Sequence, residues 1–220
     1  MRSFDYIESG KTLLTPHTTS LLAAIHEAKG RQSIQTTIRP DILGTLVAVA
    51  RIQSTDASNR IEGISTSDSR LNDLVSEKVT PRNRNEEEIA GYRDALSVIH
   101  ESHDYIPITP NVILQLHRDL FRHTPLTFAG HFKDSDNVII ERDAHGTSTV
   151  RFAPPSALVT PELIERACSA YTQAIRDGHT DPLLAIAMFI LDFTCIHPFN
   201  DGNGRMSRLL TLLMLCRNEI

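Results

Sequence analysis

Residues 195–208 read Cys-Ile-His-Pro-Phe-Asn-Asp-Gly-Asn-Gly-Arg-Met-Ser-Arg, and four kinds of chemistry-bearing group fall within this stretch. His197 stands just ahead of a turn, held there by Pro198, where an imidazole can act as general base on an incoming hydroxyl. Asp201 offers a hard carboxylate oxygen of the kind Mg²⁺ takes alongside phosphate oxygens. Gly202, Asn203 and Gly204 make a turn whose glycines let successive N–H groups converge, and at a helix start such a turn is an anion site. Arg205 and Arg208, three apart on that helix, both reach a bound polyphosphate. Singly, each feature has a plainer reading: a turn, a structural histidine, a solvated pair of arginines. Phe199 is an apolar anchor that pins the loop to the core. The concurrence of base, metal ligand, anion turn and two cations is what favours chemistry on a phosphate-bearing substrate.

The elements that must position these groups are helical. The motif is preceded by the apolar run 183–196 and followed by the apolar stretch 209–215. The first run is too short for the ~20 residues that cross a bilayer, and it carries Asp192, so it reads as a buried helix. Leu21, Leu22, Ile25 and Ala28, and then Ile89, Tyr92, Leu96 and Ile99, recur at helix-face spacing. Asn85 with Glu88 resembles a capping box, and Thr109-Pro110, Thr160-Pro161 and Asp181-Pro182 each set a capping residue before a proline at the first helical position. Gly178 is a natural helix stop. Residues 137–142 and 148–152 are β-rich and flank Asp143-Ala144-His145-Gly146-Thr147, which reads as a hairpin turn. The expected fold is all-α with one β-hairpin. Residues 80–85 form a polar loop, and residues 1–40 read as a loosely attached first helix and loop.

Two hundred and twenty residues, 40% hydrophobic and 22% charged, suit one domain with a full core. A net charge of −5 excludes the global footprint of a nucleic-acid binder, so phosphate specificity must be local. The N-terminus lacks the charged head and apolar stretch of a secretory signal. Cys168, Cys195 and Cys216 form an odd set without a C-x-x-C pair and read as buried thiols. A cytoplasmic, reducing location with no membrane contact is expected. His100, His103, His117 and His123 lack the H-E-x-x-H spacing of a metal site and read as surface or capping residues.

The run HPFNDGNGRMSR resembles the signature of the Fic-domain family, His-Pro-Phe-x-[Asp/Glu]-Gly-Asn-Gly-Arg-x-x-Arg, at every specified position. Gly130-His131-Phe132-Lys133, the hairpin and Ala153-Pro154-Pro155 resemble the family's flap region. The resemblance implies a Fic-type helical bundle with the hairpin over the active site, a catalytic core at 85–220 and an N-terminal helical region at 1–84 packed on it. It implies transfer of AMP from Mg²⁺-bound ATP to a Ser, Thr or Tyr hydroxyl of a target protein, with self-modification and homo-oligomer formation left open. By that resemblance His197 deprotonates the hydroxyl and Asp201 holds Mg²⁺. The amides around Gly202, Asn203 and Gly204 cradle the phosphates, Arg205 meets the β-phosphate and Arg208 the γ-phosphate. Asn137, Val138, Ile139 and Ile140 dock the target as an added strand and line the nucleotide. Doc-like members, which transfer the γ-phosphate, carry Lys where this chain has Gly204, so nucleotidylation is favoured; phosphocholine transfer stays open.

Upstream, Ser58-Asn59-Arg60-Ile61-Glu62-Gly63 resembles the family's inhibitory helix, [Ser/Thr]-x-x-x-Glu-[Gly/Asn]. The resemblance implies that Glu62 pairs with Arg208 and occupies the space a γ-phosphate needs; the plainer reading leaves Glu62 on a solvated helix end. Glu62 is also placed to support removal of AMP from a modified target. The alternative from another class is a non-catalytic module whose hairpin edge captures a peptide. Relatives usually continue beyond the motif helix with adenine-contacting helices, so a chain stopping at Ile220 reads as a truncated piece or a minimal form.

Overall fold

A computed structural model describes residues 4–38, 40–142, 146–176 and 178–220. It contains the helices α1 (Tyr6–Leu13), α2 (Pro16–Ile38), α3 (Pro40–Ile61), α4 (Asp68–Val75), α5 (Arg84–Ser102) and α6 (Pro110–Leu120). The hairpin β1 (Ile139–Arg142) and β2 (Ser148–Phe152) follows, and then α7 (Thr160–Arg176), α8 (Pro182–Ile196) and α9 (Asn203–Arg217). The strands are antiparallel, with Ile140 opposite Val150 and an irregularity between Ile139 and Ile140. Asn137 and Val138 therefore lie ahead of the strand rather than in it. The turn residues Asp143, Ala144 and His145 lie outside the described residues. The fold is thus the expected helical one with a small hairpin.

The core is built by helices that turn an apolar stripe inward. On α5 these are Ile89, Tyr92, Leu96 and Ile99; on α8, Leu184, Met188, Phe189, Phe193 and Ile196; on α9, Met206, Leu209, Leu210 and Leu213. Helices α5 and α6 cross so closely that a Cβ at Gly91 would lie 2.0 Å from the Leu120 carbonyl oxygen. A second, smaller cluster of Leu71, Leu74 and Ile89 fastens α4 to α5, with Ile52 of α3 against it. Beside it Glu86, 4% exposed, takes a charged hydrogen bond from Arg70 at 2.5 Å. That pair, with the Arg82 amide and the Thr66 hydroxyl, holds the Glu86 carboxyl down at about 2.

Helix α1 is not loosely attached. Tyr6 is 1% exposed and donates its hydroxyl to Asp192 Oδ2 at 2.9 Å. Gly10 lets α1 approach Thr180 so closely that a Cβ would meet its Cγ2 at 2.9 Å. The expected burial fails instead on α2, where Leu21 and Ile25 are 51% and 41% exposed although the helix itself forms.

Thr109 and Asp181 cap α6 and α8 as expected, accepting from the amides of Val112 and Leu183. Asn83, not Asn85, caps α5, and it accepts from the Glu86 amide at 3.0 Å. Thr160 lies inside α7 and donates to the Ser156 carbonyl, because a 3-10 turn at Ala157–Val159 runs into the helix. Cys168 is buried, but Cys195 and Cys216 are half-buried; all three are free. Among the described residues no helix is long and apolar enough to cross a membrane.

Candidate functional site

The site is the joint between α8 and α9. Helix α8 ends at His197, which takes the left-handed conformation at φ 51° and donates its backbone N–H to the Phe193 carbonyl at 3.0 Å. That turn leads the chain off the helix and leaves the imidazole half-buried at the joint. Burial first, and the neighbouring Lys133 charge second, push the imidazole below its ordinary value, against the hydrogen bond to Thr194 and the carboxylate of Glu62. The ring is therefore held neutral, the form that accepts a proton.

The loop from Pro198 to Gly202 is fixed from within. Asn203 accepts from the Phe199 amide at 2.9 Å and donates to the Phe199 carbonyl at 2.8 Å, so its side chain is used up in closing the loop. Phe199 is 0% exposed, and its ring stacks on His117 with centroids 3.7 Å apart and planes 1° from parallel. A fully buried aromatic of this size contributes ~1.5–3 kcal/mol. Gly202 is required at φ 79°, since a Cβ would come within 2.8 Å of the Phe121 ring.

Helix α9 then starts with the amides of Asn203, Gly204 and Arg205, which have no acceptor inside the helix by its geometry. The first closed bond is Met206 N–H to Gly202 O at 2.8 Å. The Gly202 amide, expected among the cradle, already donates to Asp201 Oδ1 at 2.6 Å. The Asp201 side chain is 49% exposed, and its other oxygen lies 4.0 Å from Arg84 Nη2.

The two arginines separate. Arg205 is 1% exposed, pairs with Glu88 at 2.7 Å and lies 4.9 Å over the Phe121 ring. Its Nε and Nη1 are buried without a hydrogen-bond partner. It stands inside the core, with those two nitrogens left to any acceptor that reaches them. Arg208 does face the open side. Its Nε donates to Ser58 Oγ at 2.7 Å, and its Nη2 donates to the Ser58 carbonyl at 3.0 Å and to Glu62 Oε1 at 2.7 Å. Gly63 at φ 77° ends the α3 segment, with its amide on the Arg60 carbonyl and the Ile64 amide on the Asn59 carbonyl. That cap turns Glu62 toward α9, where its Oε1 sits 2.2 Å from the point a Cβ on Gly204 would take.

The hairpin is rooted in the same joint. The Lys133 backbone amide donates to the Pro198 carbonyl at 2.8 Å, and its Nζ donates to the Ile196 carbonyl at 3.2 Å and to Asn137 Oδ1 at 3.0 Å. Asn137 in turn donates to the Phe199 carbonyl at 3.3 Å, so both ends of its amide serve the loop. Val138 and Ile140 are 51% and 54% exposed, and Ile139 is half-buried.

Sequence reasoning missed three supports. His117 is 0% exposed, not a surface residue. Its Nδ1 accepts from the Gly130 amide at 2.9 Å, so its Nε2 carries the proton it donates to the Asp201 carbonyl at 3.1 Å. Glu88, expected only as the far end of a capping box, and Lys133 are buried ionic groups. The signal for Lys133 was its place in the Gly-His-Phe-Lys run; for His117 there was only its place on an apolar helix face. Among the described residues no three His, Cys, Asp or Glu side chains form a metal cluster. Asp201 fits a Mg²⁺ that arrives on phosphate oxygens, which needs only one or two protein carboxylates.

The family described as Fic/DOC matches residues 107–215. A Fido domain-containing protein of Dictyostelium discoideum is 38% identical over 85 residues, 37% of this chain and 54% of that protein. The protein adenylyltransferase fic-1 of Caenorhabditis elegans is 28% identical over 143 residues, 61% of this chain and 25% of that protein. The protein adenylyltransferase Fic of Nematostella vectensis is 25% identical over 168 residues, 73% and 36% respectively. The chain thus spans about half the length of the first of these curated relatives and less of the others. In fold, it matches a Fic domain containing signaling protein from Bacteroides thetaiotaomicron with a TM-score of 0.71 at 24% identity, over 81% of this chain and 67% of that one. It matches Fic-1 from C. elegans with a TM-score of 0.63 at 20% identity, over 98% and 66%.

Proposed function

From the premise that this chain is a Fic-domain protein, we propose that it transfers AMP from ATP to a protein hydroxyl and is restrained by its own Glu62. The observation that carries this reading is the joint itself: a neutral imidazole placed directly ahead of a helix start whose amides are free and whose Arg208 is already taken by a carboxylate.

His197 accepts the proton of an incoming Ser, Thr or Tyr hydroxyl as its oxygen forms a bond to the α-phosphorus. The bond from that phosphorus to the bridging oxygen breaks, and pyrophosphate leaves. The first-turn amides of α9, at the positive end of its dipole, take up charge on the phosphate oxygens. Asp201 would hold Mg²⁺, which when bound supplies charge neutralisation across the phosphates. Arg208 serves the terminal phosphate, and Arg205 acts from the core, fixing α9 against α5 through Glu88. A target polypeptide docks along the outer edge of the hairpin, where Val138, Ile140 and Val150 stand exposed. The chain's own hydroxyls are open to the same transfer.

Glu62 opposes this because its carboxylate occupies Arg208 and the space above Gly204. The decisive test is label transfer from α-labelled ATP by the wild type, Glu62→Gly and Glu62→Gly/His197→Ala. Freeing Arg208 removes a half-exposed ion pair worth up to ~1 kcal/mol as well as a steric block, so Glu62→Gly should label at least about five-fold faster. The double variant should not label. Equal labelling by wild type and Glu62→Gly would refute the restraint, and label that persists without His197 would refute the base.

A further inference from the structure

Three backbone carbonyls flank the general base, those of Ile196, Pro198 and Phe199, and all three accept hydrogen bonds from residues 133 and 137. These two residues sit four apart, just ahead of β1. Lys133 is 3% exposed, and neither acceptor of its ammonium is a carboxylate. Burying an ammonium costs several kcal/mol unless its hydrogen bonds return the loss, and an apolar side chain of the same length would pack without that cost. A charge kept under these terms points to a role that packing alone does not explain.

We infer that Lys133 is a positioning residue for His197: its buried ammonium, bound to the Ile196 carbonyl and to Asn137, sets the segment that aims the imidazole and ties it to the root of the hairpin. The inference deepens the proposed function and rests on His197 as base. Two consequences follow from the geometry. First, the bond to Ile196 fixes the peptide immediately before His197, at the left-handed turn where a small rotation would swing the ring. Second, Asn137 lies between the ammonium and the Phe199 carbonyl, so a strand laid on the hairpin loads the same bonds that hold the base.

The charge acts as well. His197 feels Lys133 from the hairpin side and Glu62 from the α3 side, with opposite signs, while Asp136 acts on Lys133 itself. Removing the ammonium removes the charge that disfavours the protonated ring.

The test uses the full chain carrying Glu62→Gly, with Lys133→Met and Lys133→Arg added singly. AMP transfer is followed across pH, and nucleotide affinity is measured with α,β-methylene-ATP and Mg²⁺, which cannot donate AMP. Lys133→Met should slow transfer about ten-fold near neutral pH through a misaimed base, with analogue affinity within about two-fold. Its acid limb should move to higher pH, because a more basic imidazole stays protonated longer. Lys133→Arg, which keeps the charge, should leave the limb in place. An unmoved limb in Lys133→Met, or a parallel loss of analogue affinity, would overturn the inference. If Lys133→Met does not fold, as judged by circular dichroism, Asn137→Ala decides: it should slow transfer with the limb unmoved, and an unchanged rate overturns the tie to the hairpin. Failure of the Glu62→Gly chain itself to bind the analogue or to transfer AMP would instead refute the nucleotide reading on which this rests.

Discussion

His117 makes the joint acid-sensitive, and the size of the effect follows from its surroundings. The ring is buried against Phe199, Phe121 and Phe128, and that burial, with Arg205 and His131 nearby, lowers it from the ordinary 6.5 to about 4 despite its bond to the Asp201 carbonyl. An unfolded chain takes up a proton here below the ordinary value, whereas the folded chain does not until pH falls to about 4. Stability supplied by the neutral ring is therefore complete above about pH 6.5 and is lost as pH falls toward 4. At 1.36 kcal/mol per pH unit of separation, the loss approaches ~3 kcal/mol, of which ~2.5 kcal/mol is gone by about pH 4.5. For a chain of this length that is a drop of about 5–10 °C in Tm. His117→Gln keeps a donor near the Asp201 carbonyl and cannot titrate. It should start ~1–3 kcal/mol less stable, having lost the acceptor for the Gly130 amide. Between about pH 7.5 and pH 4.5 it should then lose ~2.5 kcal/mol less than the wild type does. Urea denaturation at a series of pH values measures both increments. His100 and His197, also lowered by burial, are present in both proteins and cancel in the difference. Identical increments in the two proteins would refute the assignment of the acid sensitivity to this ring.

Two other substitutions probe separate parts of the structure. A methyl at Gly204 would land in the space of the Glu62 carboxylate, so in a Glu62→Gly chain Gly204→Ala should weaken binding of α,β-methylene-ATP by about ten-fold, the clash costing ~1.4 kcal/mol or more. The same change favours the helix by up to ~1 kcal/mol, so Tm should hold or rise; unchanged affinity would mean that the nucleotide does not use this space. Tyr6→Phe removes the hydroxyl donor from the buried carboxylate of Asp192 and should lower stability by ~1–3 kcal/mol in urea melts. A loss under ~0.5 kcal/mol, the usual range for surface changes, would mean that the N-terminal segment is not anchored there.

Much of the fold and of the joint is legible in the sequence, and the reasons differ from residue to residue. The α8–turn–α9 joint was readable because two apolar runs bracket a polar stretch rich in glycine, a pattern that forces a helix, a break and a second helix. Thr109 and Asp181 were readable as caps because a proline follows each and fixes the first helical position. Asn83 was missed for Asn85 because both precede a glutamate three residues on and both glutamates are buried, so spacing does not tell where the helix starts. Arg205 and Arg208 look alike in sequence, yet one is drawn inward by Glu88 from a distant helix and the other outward by Ser58 and Glu62. Such a choice is made by tertiary partners and leaves no mark on spacing. Tyr6 gave no periodic signal at all, since a single buried aromatic anchors its helix.

The arrangement of the supports bears on how such a site is controlled. Three separate stretches meet the α8–α9 joint: residues 58–62 on the side of Arg208, 133–137 on the side of His197, and 117 beneath the loop. The contact at Arg208 is the weakest of the three in kind. It is a half-exposed ion pair with two further hydrogen bonds at the end of a helix, and the energy of an exposed pair is small and sensitive to salt. The contacts beneath the loop and beside His197 are buried and drawn largely from backbone groups, which cost far more to break. A perturbation strong enough to release Glu62 therefore leaves His197 and the Asp201 loop in place. Under the proposed function, relief of restraint exposes a site that is already built, with no need to assemble one. The physical signature would be a Glu62→Gly chain whose acid limb matches that of the wild type apart from the small downward displacement expected when the Glu62 charge is removed.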